Sequence, residues 1–555
     1  MDWSSIYEES GEERGQWNHV YETRLSRLTH VWAKDHKSAY TPIICYFFTI
    51  NYILGVGVLG MPYAFHASGI FLASVLVILV TFLSYVTVIW NSEAMLRAEV
   101  LGLLSNDERT TPKASDQSGL MHHSGHPLAR SKEVLSPMHY SDSSGRSGRA
   151  RALSNLEVLG PDELAVVVGN GGGGSEEEEG AGPCLEITEL SRMFLGGPGR
   201  TAYQAALVGL MYVGLLAYAQ VFSQTLAAQL MHGVPKFLLA VIFSVIVVPL
   251  SCAELREQIN VQVAMSLLRF AAIFIIVFGA MYGIYKDPID NGSTTIAPPY
   301  IAEVKYVDPS GFGLMFSTVL FSQLFQHSVP GLIHPLARTH KVKAPQVFGA
   351  ALMTTASIYL VLGTTCSMYF GSMTETAINT NFSEFSWGLL PSANIDEFHR
   401  LSLTLCTQLV VLFPGLDTLS VFPLIANTLG SNLHSASPSF KKVMRQRFGL
   451  KLSTRQTILF WKLASSVPPI ILSLVLTDLS MTFKFAGIFG IYVAFITPAL
   501  LFWKSTEACK QNQVTPKTIY SLAFFSNLRF VVLVLVVSSV FLVIVVYQII
   551  QAYCS

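Results

Sequence analysis

Asn51, Gly55 and Gly57 interrupt an apolar run, Thr41 to Pro62, that is otherwise long enough to cross a bilayer. Glycine lets a helix unwind and lets a ligand approach the backbone closely. Unwinding in hydrocarbon frees carbonyls that can hold a cation and leaves a half-helix N-terminus that can face an anion such as a carboxylate. Asn51, four residues before Gly55 and on the same helical face, adds a side-chain amide. The competing reading is that the glycines only allow close helix packing, as small residues often do in membranes.

A second apolar run, Phe321 to Pro335, is broken in the same manner. Within Ser328-Val-Pro-Gly331, Pro330 removes a backbone donor and Gly331 permits a turn. Gln323, Gln326 and His327 stand on the N-terminal side of this break. His327 can act as a titrating group near neutral pH or as a neutral cap on freed carbonyls. A break inside hydrocarbon survives only where it lines a polar cavity. Two broken segments at corresponding places in two halves point to the midplane site of a secondary transporter. The candidate substrate-binding residues are therefore Gly55, Val56, Gly57, His327, Ser328 and Gly331.

Charge inside apolar segments supplies the remaining candidates. Asp417 lies mid-segment between Pro414 and Pro423, with Thr418 beside it, and Arg269 lies inside another apolar run. An intramembrane carboxylate marks a functional site by default, as a proton carrier or a cation ligand. Asn51, Asp417 and Thr418 form the cation- or proton-coupling candidates. Asp417 has a second possible role, as the structural ion-pair partner of Arg269.

The elements that must position these residues are membrane helices. The chain has 555 residues, of which 51% are hydrophobic and 13% charged, with mean hydropathy +0.46. Lys+Arg and Asp+Glu are balanced at 36 each, so no net field favours nucleic acid. Eleven apolar spans are expected, at 42–66, 69–91, 203–228, 235–253, 260–285, 311–335, 345–369, 402–429, 457–478, 480–503 and 530–552. The fold class is thus an all-α polytopic membrane protein. Its parts are a 1–41 cytosolic N-terminal segment, spans one and two over 42–91, a largely disordered cytosolic loop over 92–202, and spans three to eleven over 203–553.

With the N-terminus in the cytosol, 29 of the Lys and Arg residues fall in cytosolic segments and four on the other side. The two Asn-x-Ser/Thr sequons, at Asn291 and Asn381, then lie outside the cytosol, where glycosylation occurs, and the C-terminus is extracytosolic. No signal peptide precedes the first span, and no extracytosolic cysteine pair suggests a disulfide. No Cys/His spacing suggests a metal, and no cofactor is expected beyond a coupling H+ or Na+. Glu99-Val-Leu-Gly-Leu-Leu104 reads either as an acidic dileucine sorting signal or as a continuation of the second helix. The plasma membrane and an endolysosomal or vacuolar membrane are both open locations.

The Asn51-x3-Gly-x-Gly-x2-Gly-x-Pro62 run, the span count and the long loop after span two resemble the amino acid/auxin permease family. The Gln326–Ile333 run, the Leu185–Phe194 entry to span three, the Leu268-Arg269 pair and the Phe413-Pro414 … Phe422-Pro423 spacing narrow the resemblance further. Over 42–91 and 184–552 the resemblance implies the amino acid–polyamine–organocation architecture. That is an inverted five-plus-five repeat, LeuT-like, with helices 1 and 6 broken. It also implies that Asn51, first-span backbone and an eighth-span hydroxyl, here Thr418, share a cation site. Asp417 departs from the apolar or hydroxyl residue expected at its position, which favours protons over sodium.

The implied function is alternating-access transport of amino acids or similar small zwitterions, with spans 1, 2, 6 and 7 rocking against a scaffold. The alternative is a non-transporting sensor or scaffold that signals through protein partners of the 1–41 and 92–202 segments. No paired intramembrane aspartates, Gly-x-Ser-x-Gly or His-Glu-x-x-His motif suggests an enzyme.

Overall fold

The computed structural model describes residues 41–110, 185–229, 234–252, 259–286, 305–336, 338–385, 387, 396–437, 439–449, 451–522 and 524–554. Their regular elements are helices. Helix α1 (Pro42–Ile53) carries proline in its first turn, where a missing N–H costs nothing, and stops at Leu54–Val56. Helix α2 (Gly57–Ser68) leaves at an angle of 58° to α1. Gly69, at φ 82°, turns the chain into α3 (Ile70–Thr110). A side chain at Gly69 would meet the backbone of Tyr306 and Val307, which packs across this corner. The helices α4 (Ile187–Gln229), α5 (Lys236–Cys252) and α6 (Ile259–Lys286) follow.

The second break lies between α7 (Phe312–Ser322) and α8 (Val329–Ile333), bridged by a 3₁₀ turn at Gln326–Ser328. The chain then forms α9 (Ala344–Phe370), α10 (Glu397–Ala436), the short α11 (Phe440–Phe448) and α12 (Thr454–Val475). Asp478 caps α13 (Leu479–Ile491), which passes through a π-turn at Tyr492–Ile496 into α14 (Thr497–Gln511). The last helix is α15 (Leu528–Cys554).

Among the described residues, eight helices are long and apolar enough to cross a membrane, or nine if the bent α1–α2 pair is one span. The other two of the eleven expected spans are α5, 17 residues long, and the broken α7–α8 segment. Neither reaches spanning length as a single helix, so length and composition alone do not establish eleven crossings.

The boundaries of the 92–202 loop need correction. Helix α3 runs unbroken to Thr110, and α4 begins at Ile187, so both ends of that segment are helical; Glu99–Leu104 is part of α3. Residues 111–184 lie outside the described residues. The reason α3 continues is a buried pair. Arg97 Nη2 donates to Glu93 Oε2 at 2.6 Å, one helical turn away, and both residues are buried. The Ser521 and Ser526 hydroxyls donate to Glu93, Arg97 Nε donates to the Pro516 carbonyl, and the Arg97 guanidinium lies 4.5 Å from the centre of the Phe502 ring. Buried charge persists because every partner is in place.

Two groups of helices are visible in the packing. Helices α1, α2, α3, α7 and α9 pack on one another, as do α4, α5, α10 and α12. Helix α6 touches both groups, through α9 and α10, and carries Arg269 to the seam between them, while α13 and α14 also join the groups, packing on α7 and α3 on one side and on α4 on the other.

Candidate functional site

Both breaks converge on a single hydroxyl. Tyr359 Oη, on α9, lies 3.2 Å from the carbonyl oxygen of Ile53, the last residue of α1. It also lies 3.0 Å from that of Ser322, the last residue of α7. An interrupted helix leaves its final carbonyls without partners. The fully buried Tyr359 supplies one donor at the point where two such ends meet. Polar groups of α3 serve the second break. Gln323 Nε2 donates to Thr81 Oγ1 (2.9 Å), Gln326 Nε2 to Thr87 Oγ1 (3.4 Å) and Asn91 Nδ2 to the Gln326 carbonyl (3.2 Å).

Arg269 ties the first break to α10. Its Nη1 donates to Asn51 Oδ1 (3.1 Å) and to the Leu54 carbonyl freed by the break (2.6 Å). Its Nη2 donates to both carboxylate oxygens of Asp417, at 2.9 Å each. Arg269 is 8% exposed and Asp417 7%, so the contact is a buried ion pair in which one guanidinium nitrogen is shared between both carboxylate oxygens. Of the two roles open to Asp417 in the sequence, the geometry forms the ion pair. Thr418, beside it, donates its hydroxyl back to the Gly415 carbonyl at 2.6 Å.

A cavity of about 30 Å³ adjoins the pair. Its walls include Gly55 and Val56 of the first break, Tyr218 of α4, Arg269, and Asp417 and Thr418 of α10. Ligand pockets usually span hundreds of cubic ångströms, so this space, of the order of one water molecule, is too small for a substrate as it stands.

The candidates fall into two sets. Gly55, Val56, Arg269, Asp417 and Thr418 line the cavity, and Asn51 is joined to it through Arg269. Gly57, His327, Ser328 and Gly331 do not line it. A β-carbon on Gly57 would fall on the Ser322 hydroxyl, so this glycine sets the close approach of α2 to α7. His327 and Ser328 form the 3₁₀ turn of the second break, with His327 Nδ1 buried, and Gly331 is buried within α8.

Asn291 lies outside the described residues. The Asn381 side chain is committed to its own loop, with Nδ2 donating to the Met373 carbonyl (2.8 Å) and Oδ1 accepting from the Glu375 N–H (2.8 Å).

Sequence reasoning missed Tyr359 and Tyr218. Each is an aromatic residue in an apolar span, and only the fold turns its polar tip toward a freed carbonyl or a cavity.

No protein-family model matches the chain. It is 23% identical over 532 residues to the transmembrane protein 104 homolog of Dictyostelium discoideum, which covers 93% of this chain and 98% of that relative. It is 22% identical over 498 residues to transmembrane protein 104 of Mus musculus, covering 83% and 87%. Among solved structures it is similar to an Eremococcus coleocola manganese transporter in complex with an aromatic bis-isothiourea substituted compound. The TM-score is 0.41 and the identity 10%, over 91% of this chain and 86% of that one. A mutant of the same transporter gives a TM-score of 0.39 at 10% identity, over 92% and 86%. The relatives' name matches the narrower resemblance carried by Gln326–Ile333 and the Leu268-Arg269 pair. Neither relative bears a permease name, so membership of the amino acid/auxin permease family is a proposal. Its relatives and its apolar helices make this chain an integral, multi-pass membrane protein.

Proposed function

We propose that the chain is a secondary active transporter of amino acids or similar small zwitterions, working by alternating access, and a member of the amino acid/auxin permease family rather than an enzyme. One observation carries this reading: opposite charges, Arg269 and Asp417, stand 2.9 Å apart beside a broken helix and a small cavity. A zwitterion presents the complementary pair, a carboxylate for the guanidinium and an ammonium for the carboxylate. Binding would exchange the internal pair for two pairs to substrate, so the buried charges stay compensated throughout. The cavity is far smaller than an amino acid, so binding requires the surrounding helices to part, which suits a rocking bundle built on α1, α2, α7 and α9. The same packing supports the LeuT-like arrangement.

The ligand set around Arg269 bears on coupling. Asn51 Oδ1, the Leu54 carbonyl and the Asp417 carboxylate are the kinds of oxygen that would coordinate a small cation. The guanidinium takes that place as a tethered cation, which favours coupling to protons over sodium.

The test is ligand-induced stabilisation of the purified protein across amino acids, their decarboxylated amines and their deaminated acids. Amino acids should raise the melting temperature, while the amines and acids, each able to meet only one of the two charges, should not. Stabilisation by amines alone would contradict the zwitterion reading. Stabilisation without any uptake would leave a sensor in place of a transporter.

A further inference from the structure

Helix α11 (Phe440–Phe448) follows α10 by three residues and precedes α12 by five, so it lies at the end of two candidate spans. Lys441, Lys442, Arg445 and Arg447 lie on it, and Lys451 and Arg455 follow; all six are exposed. The sequence contains no acidic residue between Asp417 and Asp478. Among the described residues none of the six takes part in an ion pair. Lys441, Lys442 and Arg445 share one side of the helix at helical spacing, and Phe440, Val443 and Met444 share the other.

The apolar side is fixed to the span. The Phe440 ring stacks on Phe460 with centroids 4.9 Å apart and meets Trp461 at 4.9 Å; on the basic side, Lys441 Nζ donates to Thr454 Oγ1 at 3.0 Å. Val443, Leu459, Phe460 and Leu463 leave an exposed apolar rim beside the charges. A rim of apolar and aromatic groups under a basic face is the chemistry of a helix lying in the membrane interface, with its cationic heads among phosphates.

We propose that α11 and the residues up to Arg455 form a binding surface for the headgroups of anionic phospholipids in the leaflet they face. Charge complementarity selects this occupant: six uncompensated cations stand at the membrane end of two spans, where lipid phosphates are the nearest anions. The apolar rim adds a requirement for acyl chains that a free anion would not meet. The proposal is independent of what the cavity carries.

The experiment is retention of fluorescent phosphatidylserine against phosphatidylcholine by the purified full-length protein in mixed micelles, at low and at high salt. The wild type should prefer phosphatidylserine by at least about fivefold at low salt and lose most of that preference at high salt. The variant K441Q/K442Q/R445Q/R447Q should fall to near parity, while K441R/K442R/R445K/R447K should retain the preference. A preference unchanged in a monodisperse glutamine variant overturns the proposal. Salt-insensitive preference in the wild type overturns it as well, whether or not the glutamine variant folds. Full displacement of the lipid by millimolar inorganic phosphate would make the surface a free-anion site instead.

Discussion

At the scale of single residues, the account turns on a few buried polar contacts. Arg269 and Asp417 are each other's compensation, so removing one leaves a buried charge at a cost of about 3–5 kcal/mol. Arg269→Gln and Asp417→Asn should each lower the thermal midpoint and yield in detergent, and the double variant should recover most of the loss. Equal loss in the double and single variants would mean the pair is not coupled. Tyr359→Phe removes only an oxygen, yet it strips the donor shared by the Ile53 and Ser322 carbonyls. About 1–3 kcal/mol of destabilisation is expected, read by the same melt. The two glycines of the first break should separate. Gly57→Ala pushes on Ser322 and should cost about 1–3 kcal/mol, relieved by adding Ser322→Gly, whereas Gly55→Ala meets only Tyr218 Oη at 3.4 Å and should fold normally. The sequence singled out Asn51, Gly55, Arg269 and Asp417 because charge, amide and glycine are costly or rare in apolar spans. It did not distinguish Gly55 from Gly57, because their difference lies in what packs opposite them.

At the scale of elements, the first break was readable, and the second was displaced. Gly55-Val-Gly57 marks the first unwound point directly, whereas the second lies at residues 323–325, ahead of Val329-Pro-Gly331, because proline in a first turn starts helix α8 rather than breaking it. The end of α3 was hidden because hydropathy falls after Trp90 while the helix continues, held by contacts with residues far along the chain. Glu93 and Arg97 look like loop charges until the 512–527 segment folds over them. This contact yields a prediction for the element. Glu93→Gln leaves Arg97 without its carboxylate and should loosen the segment from Pro516 to Ser526. Amide hydrogen exchange there should speed up by at least about tenfold, while exchange in α10 stays unchanged. Unchanged exchange in the 512–527 segment would show that the pair does not hold it.

At the scale of the whole molecule, composition and periodic apolar runs made the membrane class legible, because an uninterrupted apolar run of spanning length has few other uses. The count of crossings was less legible, since α5 is short and α7–α8 is broken, and a broken span does not score as one. The division into two helix groups, joined by α6, α13 and α14, lies in tertiary packing and has no local signature. It is this division that makes transport the central claim, because a cavity too small for a zwitterion must widen by movement of the helices around it. The most direct measurement is uptake of radiolabelled amino acids into proteoliposomes under an imposed proton gradient, for wild type and Gly55→Leu. The account predicts gradient-driven accumulation by the wild type, and none by Gly55→Leu, whose side chain fills the cavity in a folded protein. Accumulation by both proteins at the same rate would contradict the account, as would its absence in the wild type for every zwitterion that stabilises the protein.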